Sequence, residues 1–312
     1  MKVHDGSASF EQPRLAVVTS GTFDGVHVGH QKILSRLKEL AAEKGGEAVV
    51  LTFWPHPRLV LKPEDNSLKL LSTFDEKLRL FEQQGIDHVV RVPFTQEFSQ
   101  LSSDEFIRKV LVDKIGTRYL VIGYDHRFGK NREGGFDYLT EHSADYGFQV
   151  EEIPRQDIED VGVSSTKIRQ ALDEGDIFTA NEYLGRPYLL TGEVIHGDQL
   201  GRSWGFPTAN ISVQEKYKLV PKDGIYACRV RWNERLLEGM MYIGVRPTIN
   251  GIQRNIEVNI FDFDQEIYGE TLEVHFIGQI REDMKFENID QLKNQLALDK
   301  VAAQTILSHI PE

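Results

Sequence analysis

Two histidines three residues apart, His27 and His30, stand in the stretch GTFDGVHVGH (21–30), where a β-branched run gives way to an amphipathic one. Residues i and i+3 share a helical face, so both rings would point together over a helix N-terminus. Backbone N–H groups and the positive end of the helix dipole attract anions at that place. Two imidazoles there can donate hydrogen bonds to a triphosphate and stabilise charge as it moves onto a leaving group. The stretch is neither a Walker loop, since it lacks Gly-Lys-Ser/Thr, nor a G-x-G-x-x-G dinucleotide loop. A metal pair, or an ordinary helix start with incidental histidines, accounts for the same spacing; a zinc site would need a third ligand, and no companion cluster stands out.

Two further segments carry chemistry. DVGVSSTKIRQALDEGD (160–176) offers Ser164, Ser165 and Thr166 as N-caps of a short helix with Lys167 and Arg169 in its first turn. Cations there oppose the dipole, an arrangement that makes sense beside a bound anion. GEVIHGDQLGRSWGFPTANI (192–211) places Gly197, Gly201 and Gly205 in a loop that can approach phosphates closely, and Thr208 and Asn210 supply neutral oxygens of the kind Mg²⁺ takes beside substrate phosphates. A long loop with a proline-asparagine turn is the plainer reading. NIEVNIFDFD (255–264) alternates, with Ile256, Val258 and Ile260 on one side and Asn255, Glu257 and Asn259 on the other. On pattern alone Glu257 reads more readily as a solvated strand carboxylate than as a base.

The elements that must position these groups fall into two halves. Strand-like runs at 15–23, 47–53, 87–94, 118–125 and 148–154 alternate with helical patterns at 30–46, 74–85, 102–116 and 136–147. Buried apolar strands alternating with helices predict an α/β unit whose parallel sheet is covered on both faces. Beyond about residue 185 the strands TGEVIHG, GIYACRVRW, LLEGMMYIGV, NIEVNIFDFD and ETLEVHFIG follow one another on short turns, and the next helical period is 288–310. That predicts an antiparallel β-barrel closed by a terminal helix, with domains 1–185 and 186–312 meeting near Gly185-Arg186-Pro187.

The 312 residues carry a net charge of -12. Residues 1–185 hold 22 Lys+Arg against 30 Asp+Glu, and the rest 14 against 18, so neither half is a basic platform and nucleic acid is not an expected partner. No apolar run approaches the roughly 18–20 residues of a membrane span, and the N-terminus shows no signal-peptide core. Cys228 is the sole cysteine, which excludes a disulfide framework and suits a cytoplasmic location. Oligomeric state is not legible.

GTFDGVHVGH together with SSTKIR resembles the FMN adenylyltransferase module of bacterial FAD synthetases, part of the wider His-x-Gly-His nucleotidyltransferase group. TFWPHP (52–57) is similar to that family's TFxPHP, and GYDHRFGKNREG (123–134) to its GxDFxFGxxxxG. His126 stands where the family usually has phenylalanine, and Asp125 where some members carry asparagine. The glycine loop, PTAN, the Glu257 strand, DFD…YGE and IREDMKF (280–286) resemble the riboflavin kinase module. The resemblance implies a Rossmann-like nucleotidyltransferase domain followed by a kinase barrel. The kinase would phosphorylate riboflavin to FMN, and the transferase would adenylylate FMN to FAD and release pyrophosphate. ATP is the co-substrate of both, and Mg²⁺ the implied metal.

Carried over residue by residue, the resemblance implies that His27, His30 and Arg169 act on the triphosphate. Gly21, Phe23, Asp24, Gly25, Gly29, His56, Asp125, Ser164, Ser165 and Thr166 would bind nucleotide or flavin. In the barrel, Gly197, Gly201, Arg202, Gly205 and Arg281 would bind nucleotide or flavin, Thr208 and Asn210 would hold the metal, and Glu257 would be the base. A nucleotidyltransferase with another acceptor, or a non-catalytic flavin-binding regulator, are the alternatives. The attached PTAN barrel argues against the first, and the retained polar groups against the second.

Overall fold

The computed structural model describes residues 1–6, 10–65, 67–124, 126–153, 162–197, 201, 204–248 and 251–310. Asp125 and Arg202, both expected in sites, lie outside the described residues. The chain divides into two compact units, Met1–Ser164 and Ser165–Glu312.

In the first unit, β1 (Lys2–Asp5), β2 (Ala16–Gly21), β3 (Glu47–Trp54), β4 (His88–Pro93), β5 (Thr117–Gly123) and β6 (Gln149–Ile153) form a parallel sheet in the order β1-β4-β3-β2-β5-β6. Alternate residues of the central strands feed two cores. Val18, Val49, Leu51, Val90 and Leu120 pack on one face, and Val17, Val50, Val89 and Val121 on the other. Each such side chain contributes about 1.5–3 kcal/mol on burial, which accounts for the β-branched runs. Helix α1 (Val28–Lys44) buries Leu34, Leu37, Leu40 and Ala41 and stops at left-handed Gly45, whose N–H donates to the Ala41 and Ala42 carbonyls. Short α2 (Pro57–Leu61) follows β3. Helix α3 (Phe74–Gln83) starts in a capping box between Thr73 and Glu76. Helix α4 (Ser103–Phe106) runs into a π-turn at Ile107–Val112, and α5 (Phe136–Tyr146) precedes β6.

The second unit opens with α6 (Ser165–Glu174) and α7 (Ile177–Leu184). Strands β7 (Tyr188–Ile195), β8 (Ala209–Ser212), β9 (Gly224–Trp232), β10 (Arg235–Thr248), β11 (Gly251–Ile260) and β12 (Thr271–Glu282) then close an antiparallel barrel in the order β10-β11-β8-β7-β12-β9. Helix α8 (Ile289–His309) packs Ala303 and Leu307 against Ala227, Met240 and Ile277.

Both architectures match the sequence-based expectation, with two differences of detail. KVHD forms edge strand β1 in parallel register with His88–Arg91. Its pattern is polar and mostly exposed, so it carries no strand period. ANIS, expected within a long loop, is barrel strand β8. The compact units divide at Ser164/Ser165. The reason is that α6 and α7 are bonded to the barrel: the Lys222 N–H donates to the Leu172 carbonyl, and Asn181 Nδ2 to the Phe276 carbonyl.

Candidate functional site

In the first unit the strand order reverses direction at β2, with β3 on one side and β5 on the other. In open α/β sheets the crevice at the carboxyl ends of such strands is where ligands bind. Residues 21–30 leave β2 at that point. The structure stacks the imidazoles of His27 and His30, with centroids 3.6 Å apart and planes 17° from parallel. His27 is the N-cap of α1, and its Nδ1 accepts from the His30 backbone N–H at 3.4 Å. A neutral His27 ring therefore keeps its proton on Nε2. Ser20 Oγ and His126 Nε2 lie 3.2 Å apart, joining the end of β2 to the segment after β5.

The turn before the histidines is strained. Phe23, Gly25 and Val26 all have positive φ, at 47°, 80° and 39°. A β-branched residue at positive φ costs roughly 1–3 kcal/mol and persists only where its surroundings enforce it. The enforcing contacts are specific. The carboxylate of Asp24, 2% exposed, accepts from the Leu71 N–H at 3.0 Å and the Ser72 N–H at 3.3 Å. The Gly25 N–H donates to Ser72 Oγ at 3.2 Å, Gln31 Nε2 to the Val26 carbonyl at 2.9 Å, and Lys77 Nζ to the Thr22 carbonyl at 2.7 Å.

Several residues expected to touch nucleotide are thereby placed in the fold. Asp24 tethers the turn. Phe23 is buried, edge-on to His30 and Phe81. His56 caps α2, accepting from the Arg58 N–H at 3.2 Å. Gly21 ends β2 and buried Gly29 lies in the first turn of α1. Ser164 closes the first unit, whereas Ser165, Thr166 and half-buried Arg169 lie in the first turns of α6, within the second unit.

The barrel assembles the second set directly. Asn210 on β8 and Glu257 on β11 are cross-strand partners, so their side chains share a face. Thr208 Oγ1 donates to Glu257 Oε2 at 3.2 Å. Asn259 Nδ2 donates to the Pro207 carbonyl at 2.6 Å and so fixes the proline ahead of Thr208. These groups line a cavity of about 400 Å³ whose apolar wall includes Trp204, Phe206, Met240, Met241 and Phe286. A polar cluster in an aromatic- and methionine-lined cavity of this size suits a flat heterocycle with a hydroxylated tail. A second cavity of about 190 Å³ shares Thr208 and is lined by Val258, Ile260 and residues 263–268. His196 of the larger cavity stacks on Tyr268 of the smaller, with centroids 3.9 Å apart.

Arg281 lines the larger cavity, and its guanidinium is held bidentately by Asp299 of α8, at 2.9 and 2.8 Å. Asp299 is 1% exposed and also accepts from Gln295. Asn259, Asp299 and Lys77 are the site-supporting residues that motif reading missed. The strand alternation placed Asn259 beside Glu257, and an acid within the apolar period of α8 was a visible signal for Asp299. Gly201 would put a Cβ 2.4 Å from the Phe206 carbonyl, and Gly197 would put one 2.2 Å from Asn210 Nδ2. Gly197→Ala must therefore displace Asn210. Its expected effect is a loss of about 10²-fold in the reaction this cavity performs, the size a misplacement near 1 Å can have, without change in the first unit's reaction. Separate steady-state assays of the two reactions check it.

Residues 9–167 match the FAD synthetase family model and residues 184–307 the riboflavin kinase model. Proteins named bifunctional riboflavin kinase/FMN adenylyltransferase are similar over almost the whole chain. The one from Listeria monocytogenes is 41% identical, covering 91% of this chain and 90% of its own, and that from Haemophilus influenzae is 38% identical, covering 93% and 94%. The chain belongs to the bifunctional riboflavin kinase/FMN adenylyltransferase family. The Bacillus subtilis member is 36% identical across 96% of this chain. A Streptococcus pneumoniae crystal structure titled a macrolide-efflux protein superposes with a TM-score of 0.88 at 30% identity, covering 97% of this chain and 98% of its own. Among the described residues of this family member, no helix is long and apolar enough to cross a membrane.

Proposed function

We propose that the barrel unit transfers the γ-phosphoryl group of ATP to the ribityl 5′-hydroxyl of riboflavin, and that the unit carrying His27 and His30 joins the resulting FMN to the adenylyl group of a second ATP, giving FAD and pyrophosphate. The observation that carries this reading is the Thr208–Glu257–Asn210 cluster facing the 400 Å³ cavity of the barrel. An alcohol is essentially fully protonated near neutrality, so its attack is assisted by a carboxylate placed to accept the proton. Glu257 is that base.

The flavin ring occupies the larger cavity and the adenosine the smaller, which brings the phosphates to the shared Thr208. Thr208 Oγ1 and the Asn210 amide oxygen, with the Glu257 carboxylate beside them, form an all-oxygen donor set that fits Mg²⁺. Among the described residues no cluster of three His, Cys, Asp or Glu could hold a metal, and Mg²⁺ characteristically takes one or two protein oxygens with substrate phosphates. When bound, Mg²⁺ neutralises phosphate charge. Thr208 and Asn210 orient the phosphates, Gly197 and Gly201 let the loop approach them, and Glu257 takes the proton.

The FMN phosphate needs no such help. A phosphomonoester has its second pKa near 6 and is already mostly dianionic at neutral pH. His27 and His30 hold the triphosphate of the second ATP and stabilise charge on departing pyrophosphate. The proposed division of labour takes 1–185 as transferase and 186–312 as kinase; the family matches over 9–167 and 184–307 support it. The buried lone thiol of Cys228 accords with a cytoplasmic enzyme.

Incubation with riboflavin, ATP and Mg²⁺, followed by separation of flavins, tests the whole reading. FMN and FAD are both expected. FMN alone would remove the adenylyltransferase assignment, and neither product would remove both.

A further inference from the structure

Lysine is almost never fully buried without a partner, yet Lys77 on α3 is 1% exposed. Its ammonium donates to the Thr22 carbonyl at 2.7 Å and lies 5.5 Å from the centre of the Trp54 ring. Desolvation pushes its pKa down to about 8, and the charge of Asp24 opposes that fall, so the group is mostly cationic at neutral pH. Apolar residues of similar length would fill this volume without the cost of burying a charge. What the charge does here is visible from its two partners, Thr22 and Asp24, which flank Phe23 in the strained turn leading to His27.

We propose that Lys77 is a positioning residue for adenylyl transfer, clamping the 22–26 turn from beneath so that His27 and His30 are held in register for the triphosphate. It is buried and bonds to the backbone of the turn. Its effect passes through the Thr22 carbonyl and Asp24 to a turn whose positive φ angles at Phe23, Gly25 and Val26 would otherwise relax. The segment from Leu71 to Lys77 thus acts as one clamp, because Leu71, Ser72 and Lys77 all bond to residues 22–25. Relaxation of the turn would move the N-cap His27 and with it the ring stacked upon it.

This inference rests on the assignment of adenylyl transfer to the first unit. The test uses the full chain as parent, Lys77→Met and Lys77→Arg, with kcat and KM for FMN-to-FAD conversion measured beside riboflavin phosphorylation. Lys77→Met is expected to lower kcat for FAD formation at least tenfold, with KM for FMN within threefold of parent and phosphorylation unchanged. Lys77→Arg, which keeps a cation, is expected to return kcat to within threefold of parent. A Lys77→Met protein at parental kcat would overturn the proposal. So would a joint change in kcat and KM that Arg fails to rescue, since that is the mark of a generally weakened fold. If Lys77→Met loses the melting transition of its N-terminal unit, the Arg variant decides alone: kcat within threefold of parent supports the clamp, and a tenfold loss overturns it. A parent that makes no FAD refutes the adenylyltransferase assignment itself.

Discussion

Glu257→Gln is expected to abolish measurable FMN formation from riboflavin, a fall of about 10²- to 10⁴-fold in kcat, while FMN-to-FAD conversion continues at the parental rate. The magnitude is that of a positioned general base. Glutamine suits the test because its amide oxygen can still accept from Thr208 Oγ1, so the contact between β8 and β11 is kept while basicity is lost. The expected signature is a drop in kcat with KM for riboflavin little altered, because the carboxylate acts on the proton as it leaves rather than on the ring in the apolar cavity. Equal loss of both activities in separate assays would refute the assignment of base catalysis to the barrel alone.

The double variant His27→Ala, His30→Ala is expected to show the opposite pattern. Removing one preorganised donor from developing charge typically costs 10²–10³-fold, so loss of the pair should reduce FAD formation from FMN by at least about 10²-fold. The two single losses should not simply add, because the stacked rings act as a unit and His27 also caps α1. Loss of the cap alone costs about 0.5–2 kcal/mol of stability. A melting curve taken beside the kinetics separates that effect from the chemical one. A double variant making FAD at the parental rate would remove both histidines from the mechanism.

Much of this arrangement was legible from residue types and spacing. Strand–helix alternation gave way to closely spaced strands near residue 185, and the structure shows a parallel sheet followed by a closed barrel. The i, i+3 spacing of His27 and His30 foretold rings on one face, although His27 is the extended N-cap and its ring reaches His30 by accepting the His30 N–H. The alternation in NIEVNI placed Asn255, Glu257 and Asn259 together, and all three line the large cavity. What spacing could not show is which contacts these polar residues make within the fold. Asp24 has the same side chain whether it faces a ligand or binds the Leu71 and Ser72 N–H groups, and only the approach of residues 71–77 decides. Arg281 on β12 likewise meets Asp299 of α8, and only the packing of that helix on the barrel decides it. Lys77 sits in an unremarkable amphipathic period, FDEKLRLF, where a lysine ordinarily signals the solvent face. The edge strand KVHD was invisible because an exposed strand has no buried face to impose an alternation.

The central claim is that the two units do different chemistry on one pathway: the barrel must remove a proton from an alcohol, and the sheet unit must only neutralise charge around an acceptor already ionised. Complementation measures this most directly. Glu257→Gln and His27→Ala/His30→Ala proteins are supplied with riboflavin, ATP and Mg²⁺, separately and mixed, and FAD is quantified. The account predicts no FAD from Glu257→Gln alone, FMN without FAD from the double variant alone, and FAD from the mixture. FAD made from riboflavin by Glu257→Gln alone, or a mixture that yields FMN and no FAD, would contradict it.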